Sequence, residues 1–267
     1  MIDVIKQQLK EGMDIEEKMH RTREFLQILS LKILYEKKWF ESLAFLGGTA
    51  LRILFDLRRF SEDLNFSTLP SKSFTVELLN SQLEKTFPLY GLSLETHMKT
   101  ERNVKSIMLK FPGLLKELGL SPLASQKLSI KVDVDTNPPK GGSISHTIVD
   151  KIYLLNIAHY DLASLYAGKL AACFFRTYTK GRDFYDFLWY LGKRIKPNFL
   201  LLNNAIEQTQ GVNPRITEDN FKEFLLENIQ KIDFVHVQKD VERFLEDKSE
   251  LTLLNPRIIQ ETIQSVY

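Results

Sequence analysis

The chain has 267 residues, enough for one large domain or two small ones with a sizeable core. Hydrophobic residues make up 43% and charged residues 26%, which excludes a mainly disordered chain, a collagen-like repeat and a disulfide scaffold. Lys plus Arg is 36 and Asp plus Glu is 34, a net charge of +2, so any contact with nucleic acid or membrane must come from a local patch rather than a global field.

The charged N-terminus, MIDVIKQQLKEGMDIEEK, lacks the apolar core of a signal peptide. Residues 14–39 read as an amphipathic helix with Phe25, Ile28, Leu29, Leu31, Ile33 and Leu34 on its apolar positions. A short strand, 42–46, stops at Gly47-Gly48, and residues 49–57 continue as a helix. After Arg58-Arg59 comes a second strand, 63–67, then a loop punctuated by Pro70 and serines, then a helix over 74–87. Residues 92–98 and 104–111 alternate as a strand pair around 100–103, and 112–125 is looser. Residues 128–135, LSIKVDVD, form the clearest strand. Leu128, Ile130, Val132 and Val134 point one way and Ser129, Lys131, Asp133 and Asp135 the other.

From residue 158 onward the pattern is helical, over 159–177, 182–192, 197–209, 217–229, 233–246 and 255–265. The one cysteine, Cys173, falls inside an apolar helix and reads as packing; a lone cysteine suits a reducing compartment. No stretch approaches the 18 uncharged apolar residues of a membrane span, so a cytoplasmic protein without membrane contact is expected. The elements divide into an α/β part, residues 1–157, and a helical C-terminal domain, residues 158–267.

Four motifs could carry chemistry. Gly47-Gly48-Thr49 ends a strand and opens a helix, where a close backbone approach and free N–H groups suit a phosphate. Asp63 and Asn65 share one strand face, where two oxygens at a strand end can hold Mg²⁺. Asp133 and Asp135 share a face of the 128–135 strand, and oxygens converge if the two strands are neighbours. Lys169, Cys173 and Arg176 share one helix face, as do Asp183 and Asp186 on the next helix, with Arg182 spaced to pair with Asp186. Each motif alone also fits ordinary structure: a strand–turn–helix corner, a solvated strand face, or a charged helix hairpin over Phe174, Phe175, Phe184, Tyr185, Phe187 and Trp189. The five histidines have no metal-ligand spacing, and P-loop, Rossmann and nucleophile-elbow motifs are missing.

Taken together, Leu46-Gly47-Gly48-Thr49-Ala50-Leu51-Arg52, then Arg59-Phe60-Ser61-Glu62-Asp63-Leu64-Asn65-Phe66, then Lys169, then Arg182-Asp183-Phe184-Tyr185-Asp186 resemble the AbiEii/AbiGii family. Its members are nucleotidyltransferase-fold toxins of bacterial toxin–antitoxin and abortive-infection systems. The order and spacing agree from about residue 16 to residue 195. The resemblance implies an α+β fold: a DNA-polymerase-β-like mixed-sheet core with an N-terminal helix and a C-terminal helical bundle. It implies Gly47, Gly48, Thr49, Arg59 and Lys169 at the nucleotide, and Asp63, Lys169 and Asp186 in catalysis. It also implies Mg²⁺ at Asp63 and Asn65, with Asp133 or Asp135 as the strand carboxylate. The family pattern is Asp-x-Asp, and Asn65 stands at its second position, so Mg²⁺ binding should weaken.

The activity this implies is Mg²⁺-dependent transfer of a nucleoside monophosphate from an NTP to an acceptor, tRNA or a protein. The implied partner is a cognate antitoxin with a DNA-binding domain. The alternative is a catalytically weakened nucleotide-binding protein of the same fold, motivated by Asn65. A metal-dependent nuclease would need a lysine two residues after its carboxylate, whereas Lys131 precedes Asp133. A scaffold protein would leave the motif set a coincidence.

Overall fold

The structure is a computed structural model that describes residues 1–70 and 73–267. The described residues form two compact units. The first comprises Met1–Leu54, Phe60–Pro138 and His146–His159. The second comprises Phe55–Arg59, Pro139–Ser145 and Tyr160–Tyr267. The chain therefore enters the second unit twice before it reaches the helical part that the sequence places after residue 157.

The first unit is built on a sheet of seven strands. Helix α1 (Ile2–Gln8) precedes α2 (Ile15–Glu36), which starts at Asp14, whose carboxylate accepts from the Glu17 amide at 2.7 Å. That bond satisfies one of the free amides of a helix start. Strand β1 (Leu43–Leu46) runs straight into α3 (Gly47–Phe55). Strand β2 (Leu64–Thr68) and helix α4 (Val76–Thr86) follow; Ser71 and Lys72, part of the loop expected after residue 67, lie outside the described residues. Strands β3 (Glu95–Lys99) and β4 (Val104–Phe111) form an antiparallel pair, and a short helix, α5 (Leu114–Glu117), interrupts the next loop.

Strand β5 (Leu128–Asp135) alternates buried and half-exposed residues along its whole length, the face assignment its sequence predicts. Two further strands, β6 (Ile144–Asp150) and β7 (Leu154–Tyr160), were not anticipated. The sheet order is β3-β4-β5-β2-β1-β7-β6. The pairs β1–β2 and β4–β5 are antiparallel, whereas β2–β5 and β1–β7 are parallel, so the sheet is mixed. Its core is mainly apolar, with Phe45, Leu64, Phe66, Ile107, Leu109, Ile130, Val132 and Val134 at 3% exposure or less.

The second unit is a helical assembly: α6 (Leu162–Phe175), α7 (Gly181–Gly192), α8 (Phe199–Gln210), α9 (Glu218–Ile229), α10 (Phe234–Val241) and α11 (Pro256–Val266). The helix expected from residue 159 begins at Leu162, because residues through Tyr160 belong to β7 and the Asp161 carboxylate caps the helix by accepting from the Ser164 amide at 2.8 Å. Aromatic rings fill this unit. Tyr166 stacks on Tyr190 with centroids 4.4 Å apart, and Phe174 meets Phe184, Phe187 and Phe224 edge-on.

Candidate active site

In the first unit the glycine turn lies beside β2 and β5; the strand expected from residue 63 begins at Leu64, so Asp63 stands just before β2 rather than on its face. Gly47 has φ +82°, a left-handed conformation that glycine adopts without strain. A Cβ on Gly47 would stand 3.0 Å from Asn65 Nδ2, so a side chain there would press on Asn65. Helix α3 starts at this glycine, and the amides of its first turn have no intrahelical acceptor. The Thr49 side chain is buried, and its hydroxyl donates to the Asp63 carbonyl at 2.5 Å. Thr49 thus ties the helix start to the acidic segment, and what it can offer a phosphate is its backbone N–H.

Strand register puts Asn65 in the middle of this arrangement. Across the antiparallel pair it faces Leu46, the residue before the glycine turn. Across the parallel pair it is level with Asp133. The neighbour relation of β2 and β5, on which convergence of the oxygens depends, is therefore present. Asp133 already has two partners: the Ser106 hydroxyl donates to it at 2.5 Å and the Lys131 ammonium at 2.6 Å. Lys131 and Ser106 are contacts the motif reading missed, although Lys131 lies two residues before Asp133 and so shares its strand face. Asp135 sits one pleat further on, level with Ser67, and accepts from the Asn137 amide at 2.9 Å, closing the turn after β5.

Oxygen donors are the right chemistry for Mg²⁺, and Asn65 level with Asp133, next to the segment carrying Asp63, fits a single hard cation. Among the described residues no group of three or more His, Cys, Asp or Glu side chains is placed to hold a metal, so Asp63, Asp133 and Asp135 do not form a three-carboxylate cluster.

The second unit holds a buried charge cluster. Arg59 is 2% exposed and grips both oxygens of Asp186, Nε to Oδ1 and Nη2 to Oδ2, each at 2.6 Å. Asp186 is fully buried and also receives Lys169 Nζ at 2.8 Å. Lys169 donates to Asp183 at 2.6 Å, and Arg176 pairs with the other Asp183 oxygen at 2.7 Å. Asp186 is thus taken by Arg59 and Lys169, and Arg182, spaced along α7 to meet it, lies over the Phe244 ring at 4.1 Å.

Burial works to lower the pKa of Lys169, but Asp183 and then Asp186 outweigh it and hold the ammonium above its ordinary value. Burial works to raise Asp183, but Lys169 and then Arg176 outweigh it and hold the carboxyl below its ordinary value. Both groups stay charged. Cys173 donates to the Asp183 carbonyl at 3.3 Å, and burial pushes its thiol well up, which keeps it unreactive. Lys169 is 9% exposed and ties two buried carboxylates together.

Solved structures share the fold. A protein described as JHP933 from Helicobacter pylori aligns with a TM-score of 0.58 at 19% identity, over 92% of this chain and 91% of that one. A second H. pylori structure, described as a nucleotidyltransferase, aligns with a TM-score of 0.52 at 18% identity, over 97% of this chain and 99% of that one. No curated protein gives a significant match. Residues 31–258 match the family described as nucleotidyl transferase AbiEii toxin of type IV toxin–antitoxin systems. The glycine turn, the Asp63–Asn65 strand start and the Lys169–Asp186 cluster all fall within that match, and the chain belongs to the AbiEii nucleotidyltransferase toxin family.

Proposed function

We propose that the protein is a Mg²⁺-dependent nucleotidyltransferase that moves a nucleoside monophosphate from an NTP to tRNA or a protein, as the toxin of a cytoplasmic toxin–antitoxin pair whose antitoxin is its partner. One observation carries the reading: Asn65, two residues after Asp63, lies between the residue that opens the glycine turn and Asp133. This register supports a reading in which the amides after the glycine turn and the oxygens of β2 and β5 act on one nucleotide. The first-turn amides of α3 at Gly48 and Thr49 hold phosphate oxygens. Asp63, Asn65 and Asp133 hold the cation, which supplies positive charge to the triphosphate when bound.

The acceptor hydroxyl oxygen forms a bond to the α-phosphorus. The bond from that phosphorus to the bridging oxygen breaks, pyrophosphate leaves, and the hydroxyl proton passes to a carboxylate. Lys169 is the buried cation of the second unit's own charge cluster. Asp183 and Asp186 keep it charged and oriented, and Arg59 supports it through Asp186.

The test is incubation of the protein with each labelled NTP, Mg²⁺, total RNA and total protein. A labelled product destroyed by nuclease identifies RNA as the acceptor, and one destroyed by protease identifies protein. A second reading, a nucleotide-binding protein with little or no turnover, is favoured by Asn65 in place of a carboxylate and by Lys131 already paired with Asp133. Saturable NTP binding with no labelled product after long incubation selects it.

A further inference from the structure

The residues that approach Asp63, from Phe60 onward, have no strand ladder to hold them. They are held instead by polar side chains of α2 that are otherwise hard to explain. Gln27 is completely buried, and its flanking residues Phe25, Leu26, Ile28 and Leu29 are all core. A buried amide at such a position is costly unless it is partnered. Its Nε2 donates to the Ser61 carbonyl at 3.0 Å. Arg23 lies 3.7 Å from the Glu62 carboxylate. One turn earlier, the His20 ring stacks on Phe60 with centroids 4.7 Å apart. Glu24, on the same face as His20 and Gln27, receives a two-pronged ion pair from Arg52, Nε at 2.5 Å and Nη2 at 3.0 Å. The Arg52 guanidinium in turn lies over the Phe60 ring at 4.3 Å. Arg52 is on α3, three residues after Thr49, whose hydroxyl holds the Asp63 carbonyl.

We infer that Gln27 and Glu24 of α2 are positioning residues that fix the Phe60–Asp63 segment and the start of α3 relative to each other, and so set the place of the Asp63 carboxylate. They act through Ser61 and Arg52 and do not touch the nucleotide. The inference rests on the reading that Asp63 serves nucleotidyl transfer.

Gln27→Met separates positioning from general stability. It keeps the side-chain length, loses the donor to Ser61, and removes the Gln27 Oε1 oxygen, which is buried without a hydrogen-bond partner among the described residues. Glu24→Gln is the second variant; it keeps the shape and weakens the grip on Arg52. Both are compared with the wild type by thermal melting, by transfer kinetics, and by hydrogen exchange over residues 60–65.

The expected result for Gln27→Met is a midpoint within about 4 °C of the wild type. The expected kcat is lower by about tenfold or more with the nucleotide KM within about threefold, and exchange is faster in 60–65 alone. Glu24→Gln shifts in the same direction. Wild-type kinetics with wild-type exchange in both variants overturns the inference, and so does a loss of activity that follows a general drop in midpoint with faster exchange across the whole sheet. If the wild type itself transfers no nucleotide, the functional reading fails separately. The exchange data then decide alone: acceleration confined to 60–65 supports the clamp, and unchanged exchange overturns it.

Discussion

Asn65 puts a neutral amide level with the Asp133 carboxylate on the neighbouring strand. Asn65→Asp would set a second carboxylate level with Asp133 on the neighbouring strand. Like charges so placed destabilise by about 0.2–1 kcal/mol without a cation between them. The variant should melt below the wild type in EDTA and gain more than the wild type when Mg²⁺ is added, because a ligand that binds only the folded state raises its stability. Any transfer rate should rise with the metal affinity. Equal Mg²⁺ responses in the two proteins would remove Asn65 from the ligand set.

Lys169 is the second case. Removing it leaves Asp183 and Asp186 buried with one cation fewer, so Lys169→Ala should cost about 3–5 kcal/mol in urea unfolding. The pH dependence has a defined sign. Asp183 is held below its ordinary value of 3.8, so its contribution is present above that pH and is lost as pH falls through the lower folded value. Lys169 is held above its ordinary value of 10.5, so its contribution is present below that pH and is lost as pH rises through the higher folded value. In Lys169→Ala the alkaline loss should disappear and the acid loss should shrink. A full-strength alkaline loss in the variant would assign it to another group.

At the scale of elements, the close contacts are set by backbone as much as by side chains. Helix α7 starts at Gly181, where a Cβ would come within 2.2 Å of the Val237 carbonyl oxygen and 3.0 Å of the Val241 amide on α10. Gly181→Ala should therefore force the two helices apart and cost about 1–3 kcal/mol, read as a lower midpoint with faster hydrogen exchange in α7 and α10. An unchanged midpoint would mean that the helix start can shift freely. Elements with strong local patterns were legible in the sequence: the apolar repeat of α2 and the alternation of β5 give both elements nearly residue by residue. Strand β6 was not legible, because its apolar residues Ile144 and Ile148 lie on its exposed side, opposite to the usual pattern. Strand β7 has three consecutive buried residues, Ile157, Ala158 and His159, and so does not alternate cleanly. Pairings distant in sequence were equally hidden. The spacing of Asp183 and Asp186 marks them as one helix face, but nothing local couples Arg59 to Asp186, 127 positions away, or Gln27 to Ser61.

For the whole molecule, the family match over residues 31–258 and the fold shared with solved structures agree with the family and fold class read from the chain. No helix among the described residues is long and apolar enough to cross a membrane. The chain passes through the second unit at Phe55–Arg59, between the glycine-turn helix and the Asp63 strand, and Arg59 is fixed there by Asp186. The most direct test follows the label from two positions of the same NTP. Wild-type protein and a folded Asp63→Ala variant are incubated with Mg²⁺, total RNA and total protein, once with α-labelled and once with γ-labelled NTP. Nucleotidyl transfer predicts that wild type passes the α-label to a macromolecule and releases the γ-label only as pyrophosphate, and that Asp63→Ala does neither. Transfer of the γ-label to the acceptor, or no transfer of the α-label from any NTP, would contradict it.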